Sequence, residues 1–154
     1  MNVIDFLEQT PERVHGLIAG RSEEALSFKP APGRFSLREN VLHLRDIDVE
    51  GYEQRIVRIL SERDPIFPDV DGARLARERN YNTQPVASAF EALAASRARS
   101  IERLRATTPA DLARTGELEG AGRVTLEELL ERWAQHDREH LEEMTRCAAA
   151  ASSR

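Results

Sequence analysis

The chain has 154 residues, and its 22 lysine and arginine residues against 27 aspartate and glutamate residues give a formal net charge of −5 at pH 7. This length is typical of one domain with a hydrophobic core, so we expect a single domain over residues 1–154. A content of 40% hydrophobic and 32% charged residues is typical of a water-soluble protein rather than a disordered one. The acidic balance argues against nucleic acid as a partner.

The N-terminal segment and the single cysteine, Cys147, bear on where the protein works. The first residues include acidic side chains and lack the apolar run of a signal peptide. No stretch approaches the ~20 apolar residues of a membrane helix. One cysteine excludes an internal disulfide and suits a reducing compartment. We therefore expect a cytoplasmic protein with no membrane partner, and Cys147 as a small core residue.

Capping residues, prolines and apolar residues at helical spacing predict four long helices. Thr10 as the N-cap and Pro11 at the first helical position predict the start of the first helix. Ser36 and Glu39 form a capping box, in which each side chain can bind the backbone N–H of the other residue. A second long helix is expected to run from this box to about Arg63.

Two further long helices are predicted in the second half of the chain. Pro85 begins the third, which runs to about Ala106, and Thr125 with Glu128 forms the capping box of the last one. Residues 64–84 are expected to form a long connection that holds a short helix. No convincing strand pattern is present. We therefore predict an all-α protein, an antiparallel four-helix bundle with short extra helices in the connections.

Two histidines on the last helix give the clearest chemical signal. His136 and His140 are four residues apart, which places both side chains on one helical face with Cβ atoms ~5–6 Å apart. Two imidazoles so placed can bind one metal ion at ~2.0–2.1 Å, as in zinc motifs of the H-x-x-x-H type. The alternative is a pair of partly buried histidines that are hydrogen-bonded within the core.

The pattern H-E-x-x-H of zinc proteases is not met, because Asp137 follows the first histidine and no histidine follows His140. A third histidine ligand would have to come from earlier in the chain, where only His15 and His43 are available. His15 lies off the apolar face of its helix, which predicts a surface residue. His43 lies beside the apolar stripe of the second helix, so its ring could face a neighbouring helix or the solvent.

Two segments resemble the signatures of the DinB-like superfamily. The segment that begins at Pro32, P-G-R-F-S-L-R-E-N-V-L-H-L, resembles the first signature, P-G-x-[WF]-S-x-x-E-x-x-x-H-[LI]. The segment G-R-V-T-L from Gly122, followed by H-D-R-E-H-L from His136, resembles the second. The resemblance covers nearly the whole chain and implies a four-helix bundle. The superfamily is related to thiol-dependent S-transferases and to mycothiol-dependent maleylpyruvate isomerase.

Members of this superfamily typically hold a divalent metal with three histidines. Carried over by position, the resemblance implies that His43, His136 and His140 are the ligands. It thus supplies the third ligand, which the helical pattern alone leaves open. Three imidazoles suit either Zn²⁺ or Ni²⁺. Because relatives often form pairs of bundles, the resemblance also implies a homodimer.

Asp137, Asp48 and Arg97 are candidates for the residues that support the ligands. Metal-bound histidines usually donate their other N–H to a carboxylate or a carbonyl. Asp137 and Asp48 both fall on inward faces, where an unpaired carboxylate is costly. Arg97 interrupts an apolar stripe and could neutralise one of them; the alternative is a purely structural ion pair. Trp133 is expected to fill the core.

Three neutral ligands leave the charge of the metal and an open position available, which suits an activated water or a thiol. The resemblance implies a metal-dependent enzyme for a small-molecule substrate, with transfer of a low-molecular-weight thiol as one reaction. Hydrolysis is the alternative enzyme activity, and a non-catalytic metal-binding bundle for stress or partner binding is another. Cys147 is not obviously placed to supply a thiol, so the thiol would be a cosubstrate. The loop after Gly116 lacks the histidine that related sequences carry, so no substrate is carried over from them.

Overall fold

The computed structural model describes residues 1–153, and helices dominate its fold. The helices are α1 (Val3–Ile18), α2 (Glu23–Ser27), α3 (Leu37–Asp46), α4 (Glu53–Ser61), α5 (Gly72–Glu78), α6 (Val86–Arg105), α7 (Pro109–Leu112) and α8 (Leu126–Ser152). A π-helical segment, Ile47–Tyr52, joins α3 to α4 in one rod, and a 3₁₀ turn, Tyr81–Thr83, follows α5. The predicted all-α four-helix bundle is confirmed, with α1, the α3–α4 rod, α6 and α8 as its long helices. None of the helices in the described range combines the length and the apolar surface that crossing a bilayer requires.

The four long helices do not simply alternate in direction. α1 packs against α6 and α8, and α3 packs against the same two helices. The starts of α1 and α8 share one hydrophobic cluster with the ends of α4 and α6. α1 and α8 therefore run one way, and the α3–α4 rod and α6 run the other. The connection of residues 62–85 permits this arrangement, because it leads from Phe67 in this cluster to Leu75 and Tyr81 in the hydrophobic cluster at the other end before α6 begins.

Two hydrophobic clusters fill the bundle, one towards each end. The first includes Leu7, Tyr52, Ile101 and Trp133, and the second includes Val14, Leu44, Leu93 and Met144. Each long helix carries a buried polar residue between these two levels: Thr10, Asp48, Arg97 and Asp137. A polar layer therefore crosses the bundle about halfway along its length.

The first helix begins earlier than the sequence pattern predicts. α1 begins at Val3, and Oδ1 of its N-cap residue Asn2 accepts a hydrogen bond from the N–H of Asp5 at 2.9 Å. Thr10 and Pro11 lie inside the helix, so the prediction that they begin it is wrong. A proline near a polar capping residue ordinarily indicates a helix start, which is why the local pattern misleads.

Pro11 is tolerated inside α1 because another helix replaces the hydrogen bond that it removes. Proline has no N–H, so the carbonyl of Leu7, four residues earlier, loses its helical donor. Nη1 of Arg97 on α6 donates to this carbonyl at 2.7 Å. A tertiary contact thus satisfies the carbonyl group that the proline leaves free.

Both predicted capping boxes are confirmed. Ser36 Oγ accepts from the Glu39 N–H at 3.0 Å, and Glu39 Oε1 accepts from the Ser36 N–H at 3.1 Å. Thr125 Oγ1 and Glu128 Oε2 make the corresponding contacts at 3.1 and 2.8 Å. These boxes determine where α3 and α8 begin, and therefore which way their later side chains point.

Three short strands, which the sequence pattern does not predict, form a small sheet. β1 (Ile66–Phe67) pairs in parallel with β2 (Thr115–Leu118), and β2 pairs antiparallel with β3 (Gly122–Thr125). The expectation of no strand is wrong, because segments of two to four residues are too short to show an alternating pattern. The sheet closes the end of the bundle at which Phe67 and Val124 join the first hydrophobic cluster.

Candidate metal centre

Two of the long helices bring three histidines together. His43 lies on α3, and His136 and His140 lie one turn apart on α8. One ring nitrogen of each histidine lies within 4.8 Å of a ring nitrogen of the other two. The structure therefore brings together the three residues that the resemblance implies as ligands, which we call the histidine cluster. Their binding of a metal stays a prediction.

The rings of the histidine cluster face one another near the surface of the bundle. Nε2 of His43 lies 2.9 Å from Nε2 of His136. The ring centroid of His140 lies 4.4 Å from that of His43 and 4.5 Å from that of His136. His43 is buried, whereas the side chains of His136 and His140 are 23% and 16% exposed. The cluster is therefore accessible to solvent from the side of α8.

Burial and mutual proximity keep two of these histidines neutral. Burial lowers the pKa of His43 to about 2, and the neighbouring His140 and His136 add to the shift. Burial, with His136 as the next contribution, lowers the pKa of His140 to about 3. Both rings are therefore uncharged at pH 7, which is the form in which an imidazole offers a lone pair to a metal ion.

The histidine cluster also contains buried polar atoms without a partner. Nδ1 of His43 and Nδ1 of His136 have no hydrogen-bond partner within residues 1–153. Native proteins rarely leave such atoms unpaired, because each costs about 1–3 kcal/mol. Three converging imidazoles form a donor set that fits a borderline divalent cation such as Zn²⁺ or Ni²⁺. The residues present therefore fit the metal that the resemblance implies.

Asn40, which the sequence analysis does not identify, determines the orientation of His140. Its Nδ2 donates to the carbonyl of Ser36 at 3.0 Å, and this leaves Oδ1 to accept from Nδ1–H of His140 at 2.8 Å. Nε2 of His140 then keeps its lone pair for the histidine cluster. Asn40 is fully buried on α3, almost one turn before His43. A polar residue at a buried position of a helix was the signal that could have identified it.

Gly72, which the sequence analysis also misses, allows the start of α5 to lie against His43. A Cβ atom at this position would lie 2.4 Å from Cε1 and 2.7 Å from Nδ1 of the imidazole. Any side chain here would therefore displace the ring or the start of α5. In the sequence, a glycine at a helix start signals only a turn, so a contact with a residue on another helix is not visible.

Phe35 forms an apolar border beside the histidine cluster. Its ring centroid lies 5.5 Å from that of His43 and 6.5 Å from that of His140, and the angle to the His140 ring is 24°. Its N–H donates to Oε1 of Glu143 at 3.3 Å, which ties the segment before α3 to α8. Because Phe35 is itself partly exposed, the accessible side of the cluster has an apolar wall.

The three supporting candidates form one buried ion-pair network, the Arg97 network of Asp48, Arg97 and Asp137. Nε and Nη2 of Arg97 donate to the two oxygens of Asp48 at 2.8 and 3.0 Å, and Nη1 donates to Oδ2 of Asp137 at 2.8 Å. The three side chains are at most 2% exposed. Nε1 of Trp133 also donates to Asp48 at 3.1 Å. The network adjoins the histidine cluster, because Asp137 directly follows His136.

Burial disfavours the charged form of every member of the Arg97 network, but the outcome differs between members. Burial raises the pKa of Asp48 above its ordinary value in spite of the contact with Arg97. For Asp137, Arg97 and His136 outweigh burial, and the pKa lies below its ordinary value. Burial also opposes the charge of Arg97, yet the two carboxylates raise its pKa. The carboxylate next to His136 therefore holds its charge more firmly than the other.

The remaining histidine and the cysteine lie away from the histidine cluster. His15 is exposed on α1, as predicted, with its ring 5.4 Å from that of Phe90. Cys147 is buried in the second hydrophobic cluster, and its Sγ donates to the carbonyl of Phe28 at 3.7 Å. Trp133 is fully buried. The predictions that Cys147 and Trp133 are core residues are confirmed.

Known proteins resemble this chain in sequence and in fold. A protein from Oceanobacillus iheyensis, provisionally named as a metal-dependent hydrolase, is 23% identical over 142 residues, which cover 92% of this chain and 81% of the relative. YfiT from Bacillus subtilis, described as a probable metal-dependent hydrolase with an unusual four-helix bundle topology, superposes with a TM-score of 0.88. The superposition covers 96% of this chain and 84% of YfiT at 20% identity, which shows that the fold is shared. The family model of the DinB superfamily matches residues 7–144, and the chain therefore belongs to the DinB superfamily.

Proposed function

We propose that the protein is a metal-dependent hydrolase that acts on a small-molecule substrate. The observation that carries the proposal is the histidine cluster, whose ligand atoms lie within 4.8 Å of one another on an accessible side of the bundle. Burial holds two of its rings in the neutral form that binds metal. The descriptions of the Oceanobacillus protein and of YfiT as metal-dependent hydrolases support the proposal.

The chain provides both the ligands and the groups that orient them. His43, His136 and His140 would hold the cation, which when bound supplies a Lewis acid and lowers the pKa of a coordinated water to ~7. Asn40 binds Nδ1–H of His140 and so keeps Nε2 directed at the cluster. Phe35 borders the accessible side with an apolar ring, which favours a substrate with an apolar portion. Three neutral ligands leave the full charge of a divalent cation available to polarise that substrate.

We propose Zn²⁺ or Ni²⁺ as the metal. Imidazole ligands suit both ions, whereas Mg²⁺ and Ca²⁺ prefer oxygen ligands. No carboxylate belongs to the group of potential ligands found within residues 1–153, which consists of the three histidines. The donor set therefore favours a borderline ion over a hard one.

Transfer of a low-molecular-weight thiol is the second candidate function, because three histidine ligands leave an open coordination position that either a thiol or a water can occupy. A metal ion lowers the pKa of a coordinated thiol and so generates the thiolate nucleophile. Cys147 is the chain's single cysteine, and it is 1% exposed within the second hydrophobic cluster. The thiol would therefore have to be a cosubstrate, so the two functions differ in their need for added thiol.

The first test is metal content in the wild type, His136→Ala and His15→Ala. Purification avoids chelators and immobilised-metal chromatography, and elemental analysis measures bound Zn and Ni. His15 is the matched control because it is an exposed histidine outside the cluster. We expect near-stoichiometric metal in the wild type and in His15→Ala, and its loss in His136→Ala. A metal-free wild type would overturn both candidate functions.

The second test is an activity screen of the metal-loaded wild type. Activated esters and amides are offered without thiol, and then with bacillithiol, mycothiol or glutathione. Turnover without thiol supports the hydrolase. Turnover that requires a thiol replaces it with the S-transferase. A metal-loaded protein that turns over none of these substrates counts against both activities and favours the non-catalytic metal-binding bundle.

A further inference from the structure

The Arg97 network connects all four long helices of the bundle. Arg97 lies on α6, and its five N–H groups donate to the Leu7 carbonyl of α1, to Asp48 of the π-helical segment and to Asp137 of α8. Because every N–H of the guanidinium is used, the orientation of this side chain is fixed. The position of the Asp137 carboxylate is therefore determined by contacts from the whole bundle.

Stability alone does not explain why a protein keeps a buried ionic network of this kind. Replacing buried ion pairs by apolar side chains of similar volume is often neutral or stabilising. The network also holds two carboxyl groups, Asp48 and Asp137, for the single guanidinium of Arg97. This excess of carboxylates indicates that one of them has a role besides pairing with Arg97.

Asp137 has an oxygen that can accept a further hydrogen bond. Oδ2 accepts from Nη1 of Arg97 at 2.8 Å, whereas Oδ1 receives only a long contact from Nη2 at 3.4 Å. Oδ1 lies 3.7 Å from Nδ1 of His136. That nitrogen is buried and has no hydrogen-bond partner in the described chain. An incompletely used acceptor and an unpaired ring nitrogen thus lie close together.

The other nitrogen of the same ring points into the histidine cluster. Nε2 of His136 lies 2.9 Å from Nε2 of His43, so Nε2 is the ligand atom and Nδ1 is the one left for a supporting contact. Metal-bound histidines generally use the second N–H in this way. His140 already does so, since its Nδ1–H is bound by Asn40.

We propose that Asp137, oriented by Arg97, is the positioning residue of His136. Its Oδ1, at 3.7 Å, needs to approach by less than about 1 Å to accept the Nδ1–H of the ring. That bond would hold Nε2 towards the cation and increase the electron density of the ligand. The inference rests on the proposed metal site and adds the residue that orients His136, its most exposed ligand. Asp48 lies on the other branch of the network, where it contacts Arg97 and Trp133.

The test compares Asp137→Asn with Asp48→Asn. Both changes replace a carboxylate of the same network by an amide at nearly constant volume. In Asp137→Asn the donors of Arg97 hold the amide oxygen, so the NH₂ group, which cannot accept, faces Nδ1 of His136. Metal affinity is measured by competition with a chelator, and thermal unfolding of the metal-free proteins reports the structural cost. We expect Asp137→Asn to weaken metal binding by about 10–100-fold. Asp48→Asn, whose amide oxygen still accepts from Arg97, should weaken it much less.

The outcomes separate this inference from the proposed function. Wild-type affinity in Asp137→Asn, or an equal loss in both variants, would overturn the positioning role while the metal site stands. A wild type that binds no metal would remove the site itself.

A measurement on the unmutated protein keeps the inference testable even if Asp137→Asn fails to fold. The ¹⁵N shifts of the His136 ring report which nitrogen carries the proton in the metal-free protein. The proposal expects the proton on Nδ1, facing Asp137. A proton on Nε2 would contradict it.

Discussion

The Arg97 network and the histidine cluster meet at the peptide that joins His136 to Asp137, yet they differ in how far their polar atoms find hydrogen-bond partners within the chain. In the network, all five N–H groups of Arg97 have acceptors among the residues of the chain. In the cluster, Nδ1 of His43 and Nδ1 of His136 have no partner within the described residues. One group of buried polar side chains is thus satisfied internally, and the other is not.

This difference separates a structural role from a binding role. A satisfied network contributes to the fold before any ligand is present, so its disruption should cost stability. A cluster of facing imidazoles contributes little to the fold, and the ring nitrogens that converge in it gain a common partner only when a cation binds. Changes in the histidine cluster should therefore alter metal binding more than stability, and changes in the Arg97 network should alter stability more than metal binding. Asp137 is expected to affect both, because it belongs to the network and adjoins His136.

The largest effect on stability is expected from Arg97→Met, which removes the cation of the Arg97 network. Methionine approximates the length of the arginine stem but leaves Asp48 and Asp137 buried without a counter-charge. We expect the free energy of unfolding to fall by about 3–5 kcal/mol. Denaturation by urea at pH 7, monitored by circular dichroism, measures this change.

Arg99→Met is the matched control for Arg97→Met. Arg99 lies on the same helix and also pairs with a carboxylate, Glu53, at 2.7 Å, but its side chain is 51% exposed. Glu53 is buried, but water reaches the guanidinium of Arg99 and screens the pair, and Glu53 keeps Ser96 and Arg103 as partners when Arg99 is replaced. We therefore expect a small change, and an equal loss in the two variants would mean that burial does not distinguish the Arg97 network.

A smaller effect on stability, together with a loss of metal binding, is expected from Gly72→Ala. The added Cβ would lie 2.4 Å from Cε1 of His43, so either the ring or the start of α5 must move. Overpacking of this kind costs about 1–3 kcal/mol. Because the displaced group is a ligand, we also expect weaker metal binding, measured by chelator competition.

Gly16→Ala is the control for Gly72→Ala. Gly16 lies within α1, and no atom would lie within 4 Å of an added Cβ. Alanine at an open helical position should raise the free energy of unfolding by about 0.5–1 kcal/mol. Unchanged metal affinity is expected there. If Gly72→Ala also keeps wild-type affinity, the contact between α5 and His43 does not shape the site.

Local sequence patterns predict the parts of this fold that are determined locally. The capping boxes at Ser36 and Thr125 place the starts of α3 and α8, and the spacing of His136 and His140 places them on one face. The first helix is the counter-example, because its interior Pro11 is supported by an arginine on another helix. A contact between residues so far apart in the chain leaves no trace in a local pattern.

The histidine cluster also combines features that a local pattern predicts with features that depend on contacts between helices. The helical pattern leaves His43 between two environments, and only the resemblance to a family adds it to the two histidines of α8. Asn40 and Gly72 are missed because their roles depend on which atoms of other helices they contact. Asp48, Asp137 and Arg97 are identified as charges on inward faces, since an unpaired buried charge is costly wherever it lies.

The smallest effect, expected from Ser100→Ala, tests whether an unpaired buried atom is by itself a sign of a binding site. Ser100 lies on α6, and its Oγ is buried without a partner in the described part of the chain, like the two ring nitrogens of the histidine cluster. No cluster of ligands surrounds it, so we assign it no binding role. Removing the hydroxyl should raise the free energy of unfolding by about 0.5–1 kcal/mol, because alanine favours the helix and no hydrogen bond is lost.

Metal affinity should not change in Ser100→Ala, because the hydroxyl lies outside the histidine cluster. Urea denaturation and chelator competition are measured on the same preparation. A loss of stability would show that the hydroxyl has a partner after all, such as a buried water. A loss of metal affinity would show that a change at Ser100 reaches the ligands. Arg97, one turn before Ser100 on α6, would then be the residue that couples this position to the histidine cluster.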